Sequence, residues 1–366
     1  MKKVSNEKII RVLQIGMHDQ IGGVETYLMN YYRNIDKNHI QFDFISSHPK
    51  LCFENEIVNM HGKVYHLPSE KRNPFKYFFQ MKQIMLNYDI VHINMLSAAN
   101  ILPIVAAKKA GVKNIIVHSH NSNTPSGLLR KILNFINKSY LKNNATDYWA
   151  CSKLAGEWLF GKKDNMVIIP NAVDTNVFKH DVLIRNEIRK KLNINNNFVI
   201  GHIGRFSYQK NHEFLIDMFK MFEQQNPNSI LLLIGEGELK DNIIKKVKEY
   251  GLNKKVIFAG VTDKVFEYLN AMDVFVLPSR FEGLPVVGVE AQSVGINCVF
   301  SSSISKELKI NDNVTFVPLD CSLWVESINK LKNKKIKVNN ILNNYDISKE
   351  VKKLEERYKE MQGYVS

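Results

Sequence analysis

Phe198-Val199-Ile200-Gly201-His202-Ile203-Gly204-Arg205-Phe206-Ser207-Tyr208-Gln209-Lys210-Asn211 restarts, past the middle of a 366-residue chain, the pattern with which that chain opens. Six mostly apolar, β-branched residues read as a buried strand, a glycine marks the turn, and residues 212–223 follow as an amphipathic helix. The first instance is a strand over residues 10–15, a loop over 16–23 and a helix over 24–35. Working outward from it, apolar runs recur at 42–45, 64–66, 90–93, 115–118 and 148–150, with helical stretches at 74–86, 98–110 and 127–142. Beyond the restart they recur at 230–234, 256–258, 274–277 and 298–300. Strands that alternate with helices predict an α/β protein with parallel sheets. Two such series predict two Rossmann-like, doubly wound parallel-sheet domains facing a cleft. Residues 1–175 form the first and 176–345 the second, joined after Ile168-Ile169-Pro170-Asn171-Ala172-Val173-Asp174. Residues 332–344 are rich in Lys and Asn and read as a surface segment. Residues 346–366 hold a terminal helix, 347–361, expected to pack back on the first domain.

No run approaches the ~18 unbroken apolar residues of a membrane span. The first eleven residues are too charged to read as a signal peptide. Cys52, Cys151, Cys298 and Cys321 are too scattered for a disulfide framework or a Cys-x-x-Cys pair, so they read as free thiols of a cytoplasmic protein. Lys and Arg number 50 against 36 Asp and Glu, a net charge of +14. The excess is concentrated in residues 1–175, with 22 basic and 13 acidic side chains, against 28 and 23 in the remainder. Such a surface suits anionic partners, or serves solubility alone.

Four places carry chemistry. Ile21-Gly22-Gly23-Val24-Glu25-Thr26 opens the first helix, where glycines let the backbone approach a phosphate or sugar and the helix start favours anions. No Gly-x-Gly-x-x-Gly accompanies it, which argues against a nicotinamide dehydrogenase. Arg205 and Lys210 occupy the equivalent edge of the second domain, a bidentate fork and a point charge suited to a diphosphate. Phe281-Glu282-Gly283-Leu284-Pro285-Val286-Val287-Gly288-Val289-Glu290-Ala291 is a turn into a helix that starts at Pro285, with Glu290 some two turns in. Its amides suit a phosphate, and Glu282 and Glu290 can accept hydrogen bonds from sugar hydroxyls. His118-Ser119-His120-Asn121-Ser122 leaves a strand of the first domain at its ligand-facing end. No Asp-x-Asp is present, and cationic side chains with helix dipoles can neutralise a diphosphate without a metal.

Glu282 and Glu290, with Arg205 and Lys210 upstream, resemble the retaining glycosyltransferases of family 4, which have the two-domain GT-B fold. The resemblance spans essentially the whole chain. It is most specific in residues 200–300, where Gly235-Glu236-Gly237 and Asp273-Val274-Phe275-Val276-Leu277-Pro278-Ser279 also fit. It implies that Arg205 and Lys210 hold a nucleotide diphosphate, that Glu282 contacts the donor sugar, and that Glu290 contacts the ribose. Gly283 and Leu284 would supply phosphate-binding amides, and His120 would be the acceptor-side histidine near the reacting centre. The stretch from Gly283 to Cys298 with Ser301-Ser302-Ser303-Ile304-Ser305-Lys306-Glu307 looks most like bacterial capsule and exopolysaccharide enzymes. That subset implies a uridine diphosphate sugar as donor, a lipid-linked or saccharide acceptor, and no cofactor or metal.

The alternatives are a sugar-nucleotide epimerase of the same architecture, a phosphorylase, a glycoside hydrolase with paired carboxylates, and an anionic-polymer-binding protein. A phosphorylase would need a pyridoxal-phosphate lysine and a longer chain. A hydrolase leaves Arg205 and Lys210 unexplained. No nucleic-acid-binding signature is present, so nucleic acid is not an expected partner. Residues 125–142 read as an amphipathic helix with Leu128, Leu129, Ile132, Phe135, Ile136 and Tyr140 on one face and Arg130, Lys131, Lys138 and Lys142 around it. Lys71-Arg72-Asn73-Pro74-Phe75-Lys76-Tyr77-Phe78-Phe79 adds basic and aromatic residues. Either the apolar stripe packs on the sheet, or it rests on an anionic inner leaflet and makes this a peripheral membrane protein.

Overall fold

The computed structural model describes residues 9–70, 72–123, 127–332 and 344–363, and the chain divides into two compact units. Residues 1–172 together with 344–366 form the first and 173–343 the second. These limits differ by two or three residues from those read in the sequence.

The first unit runs β1 (Ile10–Ile15), α1 (Gly23–Asn34), β2 (Ile40–Ser46), α2 (Glu54–Asn59), β3 (Val64–His66), α3 (Pro74–Met85), β4 (Ile90–Met95), α4 (Leu102–Ala110), β5 (Asn114–Ser119), α5 (Leu128–Asn144), β6 (Asp147–Ala150), α6 (Lys153–Phe160) and β7 (Val167–Ile168). Its seven strands are parallel in the order β3-β2-β1-β4-β5-β6-β7. The second unit runs α7 (Val182–Lys191), β8 (Phe198–Ile203), α8 (His212–Gln225), β9 (Ser229–Ile234), α9 (Lys240–Glu249), β10 (Val256–Gly260), α10 (Val265–Ala271), β11 (Val274–Leu277), α11 (Val286–Val294), β12 (Asn297–Ser301), β13 (Val314–Val317) and α12 (Cys321–Leu331), with a 3₁₀ turn at Lys306–Leu308. Its six strands are parallel in the order β10-β9-β8-β11-β12-β13. The helix α13 (Ile347–Met361) belongs to the first unit.

Both sheets are doubly wound. Strand order reverses between β1 and β4 in the first and between β8 and β11 in the second. Ligands bind in open α/β sheets at the carboxyl ends of strands beside such a reversal. Helices cover both faces, so the central strands are buried throughout, as Ser229–Ile234 illustrates. In the first unit α1 and α13 share one core with Phe42, Phe44 and Trp149, while α3 and α4 share another with Val91, Val117 and Leu159. The second unit has its own core around Phe206, Phe219, Leu231 and Trp324.

The helix expected over 98–110 begins at Leu102, because Pro103 suits only a first turn and the backbone at Ala98 is held by α5 instead. The helices α2, α6, α7, α9, α10 and α12 and the strands β7 and β13 lie outside the segments that the apolar pattern picks out. The first of these has six residues and β7 only two, while α9 buries just Ile243 and Val247 among charged neighbours. The expected surface segment 332–344 falls almost wholly outside the described residues, as do Lys71, Pro125 and Ser126. All four cysteines are free thiols.

Candidate active site

In the second unit the loop that follows β8, residues 204–211, is clamped from both sides. On one side lies the loop after β9. A Cβ on Gly235, whose φ is +137°, would sit 2.2 Å from the Gly204 carbonyl oxygen, and one on Gly237 would sit 2.5 Å from that of Phe206. Only glycine permits that approach. Hydrogen bonds then zip the loops together, from Phe206 N to Glu236 O at 2.9 Å and from Leu239 N to Phe206 O at 3.0 Å. On the other side lies the loop after β11. Arg280 N donates to Gln209 O at 2.8 Å, Gln209 Nε2 to Phe281 O at 3.1 Å and Asn211 Nδ2 to Pro278 O at 3.3 Å.

This clamp positions the expected cations differently. Lys210 is largely buried, with its Nζ 2.7 Å from Oε1 of Glu282, which is also buried. Arg205 lies on the exposed rim and donates from Nε to Glu238 Oε2 at 3.1 Å. Glu290 makes no ion pair with Arg205 or Lys210. It is the fifth residue of α11, a little over one turn in rather than two, because Pro285 caps the helix from outside and Val286 is its first residue. Burial alone pushes the Glu290 carboxyl up to about 8.

The direction of α11 is fixed from behind. Gly288 lies against Leu308, whose Cδ2 would be 2.9 Å from an added Cβ. Gln292 donates to the carbonyls of Gly288 and Leu308 and accepts from the amides of Ile310 and Asn311, at 2.8–3.1 Å. Gly283 and Leu284 stand just ahead of the helix start, with the Leu284 side chain in the core. Two cations, a helix N-terminus and two buried carboxylates therefore gather at the carboxyl ends of β8 and β11. Such a set can neutralise a diphosphate and accept hydrogen bonds from hydroxyls. Among the described residues no cluster of three or more His, Cys, Asp or Glu is arranged to hold a metal.

In the first unit, Glu25 Oε1 accepts the His18 amide at 3.0 Å, and the Gly22 amide also reaches this carboxylate. An anion arriving at Gly22 and Gly23 would compete with that carboxylate. The two neighbouring histidines have different surroundings. His118 is fully buried within the sheet's core, with Nδ1 3.1 Å from His92 Nε2. His120 follows β5, is partly exposed, and stacks on His118 with ring centroids 4.2 Å apart. Burial pushes its pKa down to about 3, so the ring is neutral.

The helix α5 is attached by its polar side. Asn134 accepts the Ala98 amide and Asn137 donates to the Ala98 carbonyl, both at 2.9 Å. Its buried residues are Asn134 and Leu141. The apolar stripe faces outward, with Leu128 75% and Phe135 82% exposed and Leu129, Ile132 and Ile136 beside them. Phe75 and Phe79 of α3 are exposed as well. No described helix is long and apolar enough to cross a membrane.

Residues 21–177 match the family model for glycosyltransferase family 4, and residues 184–348 match that for group 1 glycosyl transferases. A Bacillus subtilis protein named as glycosyltransferase EpsF is 31% identical over 88% of this chain and 87% of its own length. The UDP-Gal:alpha-D-GlcNAc-diphosphoundecaprenol alpha-1,3-galactosyltransferase of Escherichia coli is 27% identical over 75% of this chain and 76% of its own. Among solved structures, that of Anabaena HepE, in complex with UDP and glucose, superposes with a TM-score of 0.80 at 19% identity, covering 97% of this chain and all of the other. The likeness identifies the fold as GT-B.

Proposed function

This chain belongs to the glycosyltransferases of group 1 and family 4, and on that premise we propose that it moves a sugar from a uridine diphosphate sugar to a lipid-linked saccharide in polysaccharide biosynthesis, with retention at the anomeric carbon. The observation that carries the reading is the cluster at the ends of β8 and β11. Lys210 and Glu282 are in contact there, Arg205 lies on the same loop, and α11 opens beside them with the buried Glu290 in its second turn. Arg205, Lys210 and the amides around Gly283 and Leu284 neutralise the diphosphate as it leaves. Glu290 takes the ribose and Glu282 the donor sugar. Both cations come from the protein, so we expect no need for a metal.

The first unit takes the acceptor, with His120 at the reacting end. The Escherichia coli relative, whose substrate is a diphosphoundecaprenol-linked sugar by name, supports a lipid-linked acceptor. The outward apolar stripe of α5 supports a peripheral position on an anionic membrane face, where such an acceptor resides.

Release of nucleoside diphosphate from a panel of sugar nucleotides, with and without undecaprenyl-diphosphate-linked saccharides, tests this. Acceptor-dependent release with uridine nucleotides, undiminished in excess chelator, is expected. Consumption of the donor without acceptor would favour the epimerase, and rescue of chelated enzyme by magnesium or manganese would overturn metal independence. Arg205→Ala and Lys210→Ala should each remove about 2–4 kcal/mol of transition-state stabilisation. Wild-type turnover in the double variant would sink the diphosphate assignment.

A further inference from the structure

The protons around His120 can be assigned atom by atom. The backbone carbonyl of Ile15 only accepts, so the Asn94 side-chain atom 3.1 Å from it is the amide nitrogen. That nitrogen also donates to Gln14 Oε1 at 3.1 Å. Asn94 Oδ1 must then be the atom that faces His120 Nε2 at 2.9 Å, and an oxygen facing a ring nitrogen requires the proton on Nε2. The neutral ring therefore presents a lone pair at Nδ1. Asn94 is the last residue but one of β4, beside the point where strand order reverses. Its backbone is pressed against Gly16, where a Cβ would lie 2.5 Å from the Asn94 carbonyl oxygen.

We propose that Asn94 is a positioning residue for sugar transfer, holding His120 as the tautomer whose Nδ1 accepts a hydrogen bond from a sugar hydroxyl. This rests on the reading of His120 as the acceptor-side histidine. The same logic extends through the core. Gln14 Nε2 donates to the Tyr358 hydroxyl at 3.3 Å, that hydroxyl lies 2.7 Å from His92 Nδ1, and His92 Nε2 lies 3.1 Å from His118 Nδ1. The direction is fixed from His120 as far as the Tyr358 hydroxyl, and the contacts continue from there to the ring stacked on His120. Reversing the Asn94 amide would set its oxygen against two acceptors, the Ile15 carbonyl and Gln14 Oε1. Buried polar groups do not tolerate such a mismatch.

The test uses the full chain labelled with nitrogen-15 in histidine. In the wild type, His120 should carry its proton on Nε2 alone. In Asn94→Ala both tautomers should be populated, with kcat down about 10- to 100-fold, the scale of a misplaced reacting group, and the KM for the sugar nucleotide within about twofold. Tyr358→Phe breaks the chain beyond Gln14 but leaves Asn94 pinned by Ile15, so His120 should keep its tautomer. Asn94→Asp places a carboxylate beside Nε2, raises the His120 pKa and turns Nδ1 into a donor at low pH. Its kcat should then climb with pH where that of the wild type is flat. The other titratable groups facing His120 are His118, His92 and Tyr27, all held neutral by burial. A wild-type His120 protonated at Nδ1, or an Asn94→Ala enzyme with unchanged tautomer and kcat, would overturn the proposal. If instead His120→Ala keeps full turnover, the reading of His120 falls, while the tautomer assignment stands on its spectrum.

Discussion

A carboxyl group without a partner is costly to ionise in a protein interior, and Glu290, which has no ion-pair partner among the described residues, is lifted to about 8 by burial. Ribose hydroxyls donating to it would favour the ionised form, so nucleotide binding must supply the deprotonation at lower pH. Affinity for uridine diphosphate should therefore weaken by up to about tenfold per pH unit below pH 8 and level off above it. Calorimetry between about pH 7 and 9, above most of the range where a phosphate itself titrates, should show that slope in the wild type and none in Glu290→Gln. A flat wild-type profile would remove the ribose from Glu290. Stability without nucleotide has the opposite sense. The folded state holds its proton to higher pH than the unfolded chain, so stability falls as pH rises from about 4.5 to 8, and Glu290→Gln should lack that fall. The residue types of this site were legible from spacing: a cation pair after one strand and a carboxylate pair about a helix start. Their environments were not. The contact of Lys210 with Glu282, and the exposure of Arg205, depend on the clamp formed by the loops after β9 and β11. Asn94 gave no signal at all, because one polar residue in an apolar run looks like any other, and Tyr358 reads only as part of the apolar side of a charged helix.

At the scale of elements, α5 shows that an amphipathic pattern fixes a face without saying where the face points. Stripe and cations were both legible in the sequence. The helix docks through Asn134 and Asn137 onto the backbone at Ala98, and its apolar side is left outward. Its two sides should therefore respond oppositely to substitution. Leu141→Ala removes a fully buried side chain and should cost about 2–5 kcal/mol of stability. Phe135→Ser should change stability by no more than about 0.5 kcal/mol, as surface changes do, yet reduce co-sedimentation with vesicles rich in acidic lipid. Charge reversal at Arg130 and Lys131 should reduce it too, and added salt should weaken what remains. Vesicle binding indifferent to Phe135, to charge and to salt would assign α5 no membrane role.

For the whole molecule, alternation of strand and helix was enough to read two doubly wound sheets, because each β-α pair carries its own period. The terminal helix was expected on the first domain, but the surface that α13 covers there could not be read that way. Ile347, Val351, Leu354 and Tyr358 recur at helical spacing and announce an apolar stripe, but every sheet of this kind offers a face to cover. In the fold they join α1, Phe42 and Trp149, all far away in sequence, so the last helix completes the core of the first unit. The second unit has a separate core. Unfolding should therefore resolve into two transitions that answer to different perturbations. Uridine diphosphate at 100 times its dissociation constant adds about 2.7 kcal/mol to whatever binds it. For a unit of this size that is a shift of roughly 5–10 °C. Calorimetric scans should show this shift in one transition only, and Glu290→Gln should diminish it at pH 9. Leu354→Ala should lower the other transition, at a cost of about 2–5 kcal/mol, and leave the nucleotide-sensitive one in place. If nucleotide raised both transitions equally, or if Leu354→Ala lowered the one that nucleotide raises, then the donor site would not belong to residues 173–343 alone.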